Sequence, residues 1–327
     1  MPVRLIRTLT LLARILSGIV GLSLFACAPA AAESAPWILN FGYQKSSTLS
    51  VILKTNGELE KALAPLGVEI KWHEFTSGLP LVEALNLGHL DFSADVADTV
   101  PIFAQAAGAK LVYVADEAAS PGAEAILVPA ASDIKTLGDL RGRKIAVTKA
   151  AGSHFLLLAA LQKAGLTFRD ISPAYLAPGD GRAAFIGGKV DAWVIWDPFL
   201  TSARLKEGSR VLADAAGLAS YKRYYLASDG FVANHGDALK IVFAKLQETG
   251  LWVKSHPAEA AALLSGIWNI DAAAVEEANS HRSYAVGLVT REGLTEQQII
   301  ADAFTREGLI PAKLDASDVK IWRGEAK

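Results

Sequence analysis

Four segments of the chain place small, hydroxyl or acidic residues directly at the start of a predicted helix. A helix start leaves backbone N–H groups unpaired and carries the positive end of the helix dipole. Starts that follow the carboxyl ends of parallel strands are suited to anions. Each one alone is equally typical of an ordinary helix cap, so only their convergence on one cleft would make a binding site. In chain order, the residues are Ser77 and Gly78, Asp98 and Thr99, Gly152 and Ser153, and Asp180 with Arg182.

Most familiar sequence signatures of catalysis and metal binding are missing from the sequence. No GxxxxGK[ST], GxGxxG or GxSxG motif occurs after the first thirty residues, so there is no phosphate loop, dinucleotide fingerprint or nucleophile elbow. The six histidines show no HxH or HExxH spacing, and we predict no metal and no cofactor. The one cysteine, Cys27, precedes the predicted folded part. We therefore expect no catalytic residues and no internal disulfide.

Residues 1–32 have the pattern of an export signal. Three arginines precede the apolar segment ILSGIVGLSLF, and small-residue cleavage sites follow. The apolar stretch is shorter than the roughly twenty residues that a membrane span requires. We predict cleavage near Glu33 and export of the protein. Alternatively, LFAC resembles a lipoprotein cleavage site, in which case Cys27 would carry a lipid anchor.

The composition is that of a globular protein with a slight acidic excess. Hydrophobic residues make up 51% and charged residues 20% of the 327 residues, which is ordinary for a folded protein. The formal charge of −2 becomes −5 when a leader with three arginines is removed. Because no basic run follows the leader, we predict no nucleic-acid partner.

Short apolar runs alternate with helical patterns from Trp37 onward, which predicts sheets with helices on their faces. The alternation starts again near residue 126, and the chain becomes mainly helical after about residue 228. We predict lobe 1 from residues 36–125 plus 228–327 and lobe 2 from residues 126–227. Extended crossings are expected near Glu124–Val128 and Tyr224–Ala227. The predicted C-terminal helices are Asp237–Ser255, Ala258–Trp268, Asp271–Arg282 and Thr295–Glu307.

Longer stretches of sequence are similar to one family over most of the predicted folded part. They include WHEFTSGLPLVEALNLGHLDF, PIFAQAAGAKLVYVA, LGDLRGRKIAV and GRAAFIGGKVDAWVIWDPF, in this order. On these stretches the chain resembles the periplasmic substrate-binding proteins of ABC transporters for aliphatic sulfonates, within the nitrate, sulfonate and taurine group. The resemblance implies an α/β, two-lobed type II periplasmic binding protein fold. Its mixed or parallel sheets are flanked by helices, and the ligand lies between lobes that close about two hinge crossings.

The resemblance also implies partners and a site. The ligand would be a small organic anion, ABC permease subunits in the inner membrane would be the partners, and the protein would be a monomer. Gln44, after the first strand, would face the cleft together with the four helix starts. Two departures from the family pattern concern the pocket. Ala150 and Ala151 replace a serine-rich loop, and Ala97 and Val100 interrupt a Gly-Asp-x-Pro-Pro pattern. Both bear on the identity of the ligand more than on the fold.

The strand VDAWVIWD would end at the same cleft. We interpret Trp193 as a core residue, whereas Trp196 either packs against an alkyl tail of the ligand or caps the core. Asp197 is expected to hold Arg182 or a backbone N–H, or to close the cleft, because two anions repel each other in a dry site. If the ligand carries an ammonium group, as taurine does, Asp197 or Asp98 would contact it.

Other functional classes stay open at this point. An enzyme on the same fold, such as a thiamine-pyrimidine synthase-like protein or a deaminase, is disfavoured by the missing cysteine and the isolated histidines. A solute-sensing domain would need a signalling partner. Within the class of transport binding proteins we expect an aliphatic sulfonate as ligand, with taurine, nitrate or another small solute as alternatives.

Overall fold

The computed structural model describes residues 36–311 and 313–324. The predicted export signal and Cys27 lie outside these residues. Within the described ranges, no helix combines the length and the apolar character needed to span a bilayer.

The described residues form two β-sheets with helices on their faces. The strands are β1 (Trp37–Gln44), β2 (Val68–Phe75), β3 (Phe92–Ala97), β4 (Val112–Glu117), β5 (Glu124–Pro129), β6 (Lys144–Val147), β7 (Ser172–Tyr175), β8 (Ala192–Trp196), β9 (Ser209–Asp214), β10 (Arg223–Ala227), β11 (Val286–Leu288) and β12 (Lys320–Ile321). The α-helices are α1 (Thr48–Asn56), α2 (Glu58–Leu63), α3 (Gly78–Asn86), α4 (Thr99–Ala106), α5 (Gly152–Lys163), α6 (Pro178–Ile186), α7 (Phe199–Lys206), α8 (Asp229–Asn234), α9 (Gly236–Ser255), α10 (Pro257–Trp268), α11 (Ala272–Ser280) and α12 (Thr295–Arg306).

The first sheet has the strand order β11-β4-β10-β3-β1-β2, and β12 also pairs with β4. Strand β1 lies between β2 and β3 and is parallel to both. Strand β10 is inserted antiparallel between β3 and β4. Every residue of β3 is buried, as expected for a strand that is covered on both faces. The carboxyl ends of β1 and β3 therefore emerge side by side at one edge of the sheet.

The second sheet has the strand order β7-β6-β8-β5-β9. Strand β6 is parallel to β7 and β8, and β5 is antiparallel to β8 and β9. Each sheet thus contains one antiparallel strand that the chain reaches directly from the other sheet, because β5 follows β4 and β10 follows β9. Residues 118–123 and 215–222 connect the two sheets.

The sheet membership places the connections a few residues before the expected crossings. Strand β5 already belongs to the second sheet at Glu124, and β10 belongs to the first sheet from Arg223 onward. The predicted lobe 2, residues 126–227, therefore includes a strand of the first sheet, because the ladder with β3 and β4 begins directly after the connection. The predicted division into lobes otherwise follows the two sheets, and its boundaries stay a prediction.

The C-terminal helices pack mainly on the first sheet's side of the molecule. Helices α9 and α10 contact α1, and α9 also contacts α2. Helix α11 packs against α7, and α12 packs against both α4 and α5. The C-terminal part thus returns to the first sheet, and it also touches helices of the second. One hydrophobic cluster joins residues of both sheets, including Leu81, Val96, Trp193 and Trp196.

Candidate functional site

A small cavity lies between the two sheets, and we call it the central cavity. Its walls come from the carboxyl ends of β1, β3 and β8, from the starts of α3, α4 and α5, and from the connection that leads into β10. This is where parallel strands end and helices begin, the usual position of ligand sites in α/β folds. The residues that line it are Gln44, Gly78, Ala97, Val100, Ala151, Gly152, Trp196, Tyr221 and Arg223.

Two glycines allow the helix starts to approach the central cavity. A Cβ atom on Gly78 would lie 2.8 Å from Cγ2 of Val100, and one on Gly152 would lie 2.6 Å from Cε2 of Tyr221. Both distances are shorter than a van der Waals contact, so α3 and α5 pack closely against their neighbours only with glycine at these positions. The first N–H groups of each helix therefore lie close to the cavity wall.

Arg223 brings a buried positive charge to the central cavity. Its Nε lies 2.6 Å from Oδ2 of Asp95, and its Nη1 donates a hydrogen bond of 2.5 Å to the hydroxyl of Tyr221. Asp95 also lies 3.2 Å from Arg282, which pairs with Glu117 at 2.5 Å. Two guanidinium groups thus meet two carboxylates in a fully buried network, which compensates the cost of burying each charge.

Sequence reasoning missed Arg223 and Tyr221. In the segment YKRYYLA a cation at the start of a strand is typical of a solvent-exposed edge. The arginine is instead only 3% exposed, because β10 lies inside the first sheet. The signal that could have found it is the pair of acidic residues, Asp95 and Glu117, in otherwise apolar strands, since buried carboxylates need a cationic partner.

A carboxyl group, that of Glu124, lies beside the central cavity and was also missed. It is the first residue of β5 and is fully buried. Its Oε2 is 2.9 Å from the point that a Cβ on Gly152 would occupy. Burial raises the pKa of Glu124 well above its usual range, and the charge of Asp98 raises it further, whereas Arg223 lowers it.

Four of the predicted site residues line the central cavity: Gln44, Gly78, Gly152 and Trp196. The Nε2 of Gln44 donates a hydrogen bond of 2.7 Å to the carbonyl oxygen of Asp95. The Nε1 of Trp196 donates to Oγ of Ser46 at 3.3 Å. The indole of Trp196 thus faces the cavity and also links the end of β8 to the loop after β1.

Ser77, Ser153 and Thr99 are buried at the starts of α3, α5 and α4. Ser77 has an extended backbone before α3, but its side chain makes no capping hydrogen bond. The Oγ of Ser153 has no hydrogen-bond partner among the described residues. The hydroxyl of Thr99 donates to Oδ1 of Asp98 at 3.3 Å. A ligand contact by these side chains stays a prediction, and the hydroxyl of Ser153 is free to make one.

Asp98 is engaged by the protein itself. Its Oδ1 accepts a hydrogen bond of 2.9 Å from the N–H of Thr99, and its Oδ2 accepts one of 3.1 Å from the N–H of Lys222. Burial raises the pKa of Asp98 to about 6 despite these hydrogen bonds. The side chain thus ties the start of α4 to the connection before β10.

Asp180 was predicted at a helix start, as the capping residue, and this is wrong for α6. The helix begins at Pro178 after Ala177, so Asp180 lies inside the first turn, where it is exposed. Proline fits the first helical turn because its missing N–H is not needed there. The fourth helix start therefore presents no acidic cap.

Arg182 is not among the residues that line the central cavity. It forms an ion pair with Glu207, and its side chain is 43% exposed. It also lines a second depression, which we call the outer cleft, together with Lys45, Ser46, Pro198, Phe199, Ser202, Trp268 and Ile270. A contact between Arg182 and a ligand stays a prediction, and the outer cleft is where the structure would allow it.

Asp197 contacts neither Arg182 nor the central cavity. Its Oδ1 accepts hydrogen bonds from the backbone N–H of Thr201 at 3.0 Å and from its hydroxyl at 2.7 Å. Its Oδ2 lies 2.7 Å from Nδ1 of His281, directly after α11. The hydrogen bond to Asp197 is the main cause of a raised pKa of His281. Asp197 thus holds a backbone N–H, and it also links the second sheet to the C-terminal helices.

No group of three or more histidine, cysteine, aspartate or glutamate side chains in residues 36–311 and 313–324 is placed to hold an ion.

Two sheets, two chain crossings and helix starts that face a cavity between the sheets define the periplasmic binding protein fold. The predicted fold class is therefore confirmed. Residues 64–260 match the family model described as NMT1/THI5 like, and the chain belongs to this family.

Relatives of known class are similar over almost the whole chain. The putative aliphatic sulfonates-binding protein of Escherichia coli K12 is 42% identical over 309 residues, which cover 94% of this chain and 95% of that protein. The crystal structure of the periplasmic aliphatic sulphonate binding protein SsuA from Escherichia coli matches with a TM-score of 0.80 and 41% identity, covering 89% of this chain and 94% of that one. The alkanesulfonate-binding protein SsuA from Xanthomonas axonopodis pv. citri, bound to MOPS, matches with a TM-score of 0.81 and 36% identity, covering 86% and 96%. These relatives are binding proteins, and the predicted substrate-binding role is confirmed.

Proposed function

We propose that this chain captures an aliphatic sulfonate in the central cavity and delivers it to the permease of an ABC importer. The observation that carries the proposal is the buried guanidinium of Arg223 at the cavity wall. It lies near the starts of α3 and α5, which approach the cavity because Gly78 and Gly152 have no side chain. A sulfonate keeps its negative charge at all ordinary pH values and offers three acceptor oxygens. These suit one guanidinium and several convergent N–H donors.

The remaining cavity wall suits the carbon part of such a ligand. Ala97, Val100, Ala151 and the indole of Trp196 present carbon atoms to the cavity. Sulfate and nitrate are small, strongly hydrated anions that would leave this apolar surface uncovered. The names of the relatives point the same way, since all three are described as sulfonate-binding proteins and one of them is bound to MOPS, itself a sulfonate.

A series of ligands tests the proposal. We expect affinity to rise from methane- to ethane- to butanesulfonate, by up to about 0.8 kcal/mol for each methylene buried, until the cavity is full. Titration calorimetry and thermal shift would compare these with benzenesulfonate, sulfate, nitrate, taurine and a carboxylate of matched length. Sulfonates that bind more weakly than the matched carboxylate would contradict the proposal.

We propose further that the protein works as a monomer in the periplasm, after removal of residues 1–32. The similarity to periplasmic proteins supports this location, and Cys27 leaves a lipid anchor as the alternative. Mass spectrometry of protein from the native envelope would show a start near Glu33 in the first case and a lipidated Cys27 in the second. An intact N-terminus would contradict both.

The proposed role needs a permease and an ATPase as partners. The relatives described above are binding proteins, which favours this role over the enzyme alternative. Vesicles that contain the permease and the ATPase would test delivery, since uptake of a sulfonate should depend on the added protein. Turnover of the bound sulfonate by the protein alone would instead support an enzyme.

A further inference from the structure

The carboxyl group of Glu124 lies beside the central cavity without any partner. Neither of its oxygens accepts or donates a hydrogen bond within the described residues, and both are buried. A buried polar group without a hydrogen-bond partner costs free energy. We therefore expect a molecule bound to the protein to supply the missing partner.

The position of Glu124 in the second sheet directs it toward the site. It lies directly opposite Trp196 in the antiparallel pair of β5 and β8. Directly opposite residues project on the same face of a sheet, and Trp196 lines the central cavity. The close approach of Oε2 to Gly152, at the start of α5, places the carboxyl group on the same side.

Three titratable groups surround Glu124 from the neighbouring elements. Arg223, at the start of β10, is turned to Asp95 and to the hydroxyl of Tyr221. Asp98, before α4, holds the N–H groups of Thr99 and Lys222 and acts on Glu124 through its charge. Tyr221 is buried, and its pKa is raised by desolvation. None of the three forms a hydrogen bond with Glu124, so only the charge of Arg223 favours an ionised carboxylate, and it does so without a hydrogen bond.

An ionised carboxylate and a sulfonate would repel each other in a water-poor cavity. A carboxylate only accepts hydrogen bonds, whereas a protonated carboxyl group donates one. A sulfonate only accepts. The two groups are therefore complementary only when Glu124 carries its proton.

We propose that Glu124 stays protonated beside the central cavity and donates a hydrogen bond to an oxygen of the bound sulfonate. This inference rests on the proposed function. It makes Glu124 a specificity residue, because a permanently ionised sulfonate accepts this hydrogen bond. An ammonium group placed at the same point would instead require the proton to leave.

Three substitutions test the inference by titration calorimetry with butanesulfonate. Glu124→Gln keeps an N–H donor of similar shape, so the dissociation constant should stay within about threefold of the wild type. Glu124→Ala removes the donor and should weaken binding by about tenfold or more. Asp98→Asn removes the other buried carboxyl group near the site and serves to assign the infrared signal to one of the two groups. Thermal unfolding of each variant shows whether it is folded.

Infrared difference spectra of bound minus free protein give a direct readout of the proton. We expect the carbonyl stretch of a protonated carboxyl group to shift when butanesulfonate binds. This signal should persist in Asp98→Asn and disappear in Glu124→Gln. A carboxylate signal from Glu124 in the complex would overturn the inference, as would a signal that disappears in Asp98→Asn instead.

The outcomes separate this inference from the proposed function. If butanesulfonate binds the wild type and both the glutamine and the alanine variant with the same affinity, only the role of Glu124 is overturned. If taurine binds tenfold more tightly than ethanesulfonate and Glu124→Gln removes the preference, Glu124 is an ionised partner of an ammonium group and the inference is wrong. If no sulfonate binds the wild type, both proposals fail.

Discussion

Arg223 and Arg182 are two candidate arginines for binding an anion, and their surroundings differ. Arg223 is buried in a network with Asp95 and Tyr221 and lines the central cavity. Arg182 is half exposed, is paired with Glu207 and lines the outer cleft. A charge-assisted hydrogen bond is worth more where water is excluded, so the buried arginine should contribute more to binding.

We predict that Arg223→Lys weakens sulfonate binding by roughly tenfold to a hundredfold. Lysine keeps the charge that Asp95 requires, but it lacks the planar fork of donors, and loss of a charge-assisted hydrogen bond costs about 1.5–3 kcal/mol. The matched change, Arg182→Lys, should alter the affinity by less than threefold. Titration calorimetry on both variants shows which of the two arginines contributes more to sulfonate binding. A larger loss in Arg182→Lys would place the sulfonate in the outer cleft.

The site residues that could be predicted from the sequence are those that stand out within their own segment, at the start of a predicted helix or at the end of a predicted strand. Gly78 and Gly152 mark helix starts, and Trp196 with Asp197 ends an apolar strand. Glu124 opens an apolar strand in AEAILVP and carries the same signal as Asp197. It escaped notice because sequence alone does not show which strand ends meet. Only the pairing of β5 with β8 places its carboxyl group opposite Trp196.

At the scale of elements, the helix starts fall into two groups. Those of α3, α4 and α5 contribute to the central cavity, whereas α6 begins near the outer cleft. Gly152 sets the distance of α5 from the connection before β10, because Tyr221 and Glu124 lie against it. The contact therefore joins helix position to the shape of the site.

We predict that Gly152→Ala destabilises the fold by about 1–3 kcal/mol, because the added methyl group has no room. It should also weaken sulfonate binding, since α5 must move away from Tyr221. The matched change is Gly266→Ala in α10, where a Cβ would meet nothing within 4 Å. This substitution should stabilise the protein by up to about 1 kcal/mol through higher helix propensity.

Urea unfolding measures both free energies, and calorimetry measures the affinity. Equal stability of Gly152→Ala and the wild type would show that α5 can shift without cost. The claim that the close contact at Gly152 fixes the position of α5 would then be wrong.

The order of strands and helices could largely be predicted, because apolar periodicity decides it locally. Helices α9, α10 and α12 lie within about two residues of the predicted positions. Helix α7 and strand β9 were not predicted. Strand β9 (SRVLAD) follows α7 without a clear break, and half-exposed side chains along it blur the alternation. Pairing with β5, a contact distant in sequence, stabilises it as a strand.

At the scale of the whole molecule, polar contacts connect the part of the chain that contains the second sheet with the part that contains the first. Asp197, after β8, pairs with His281, after α11. Trp196 donates to Ser46 in the loop after β1. These contacts join the second sheet to the first loop and to the C-terminal helices, so separation of the lobes must break them.

We predict that the contribution of His281 to stability depends on pH. Its pKa is raised in the folded protein by Asp197. The stabilisation is therefore fully present below the unfolded pKa of about 6.5 and is lost as the pH rises through the folded pKa. His281→Gln should lower the free energy of unfolding by about 1–3 kcal/mol at pH 5.5 and by less at pH 9. Urea unfolding at the two pH values measures this difference.

His256 is exposed, and its ring contacts Trp252 and Ser255 of its own segment. His256→Gln is thus a control in which no pH-dependent loss of the interlobe contact is expected. The same loss at both pH values in His281→Gln would mean that the pair with Asp197 contributes through its hydrogen bond alone and not through the charge on the imidazole.

The hydrogen bond between Trp196 and Ser46 also has an optical consequence. Indole fluorescence shifts to longer wavelength when the ring moves from a buried site into water. Trp196 is buried where the two sheets meet, at the wall of the central cavity, whereas Trp193, in the same hydrophobic cluster, does not line that cavity. We therefore expect the emission maximum of Trp196 to move to longer wavelength when the lobes separate, so that the protein's own indole would report opening without any attached dye.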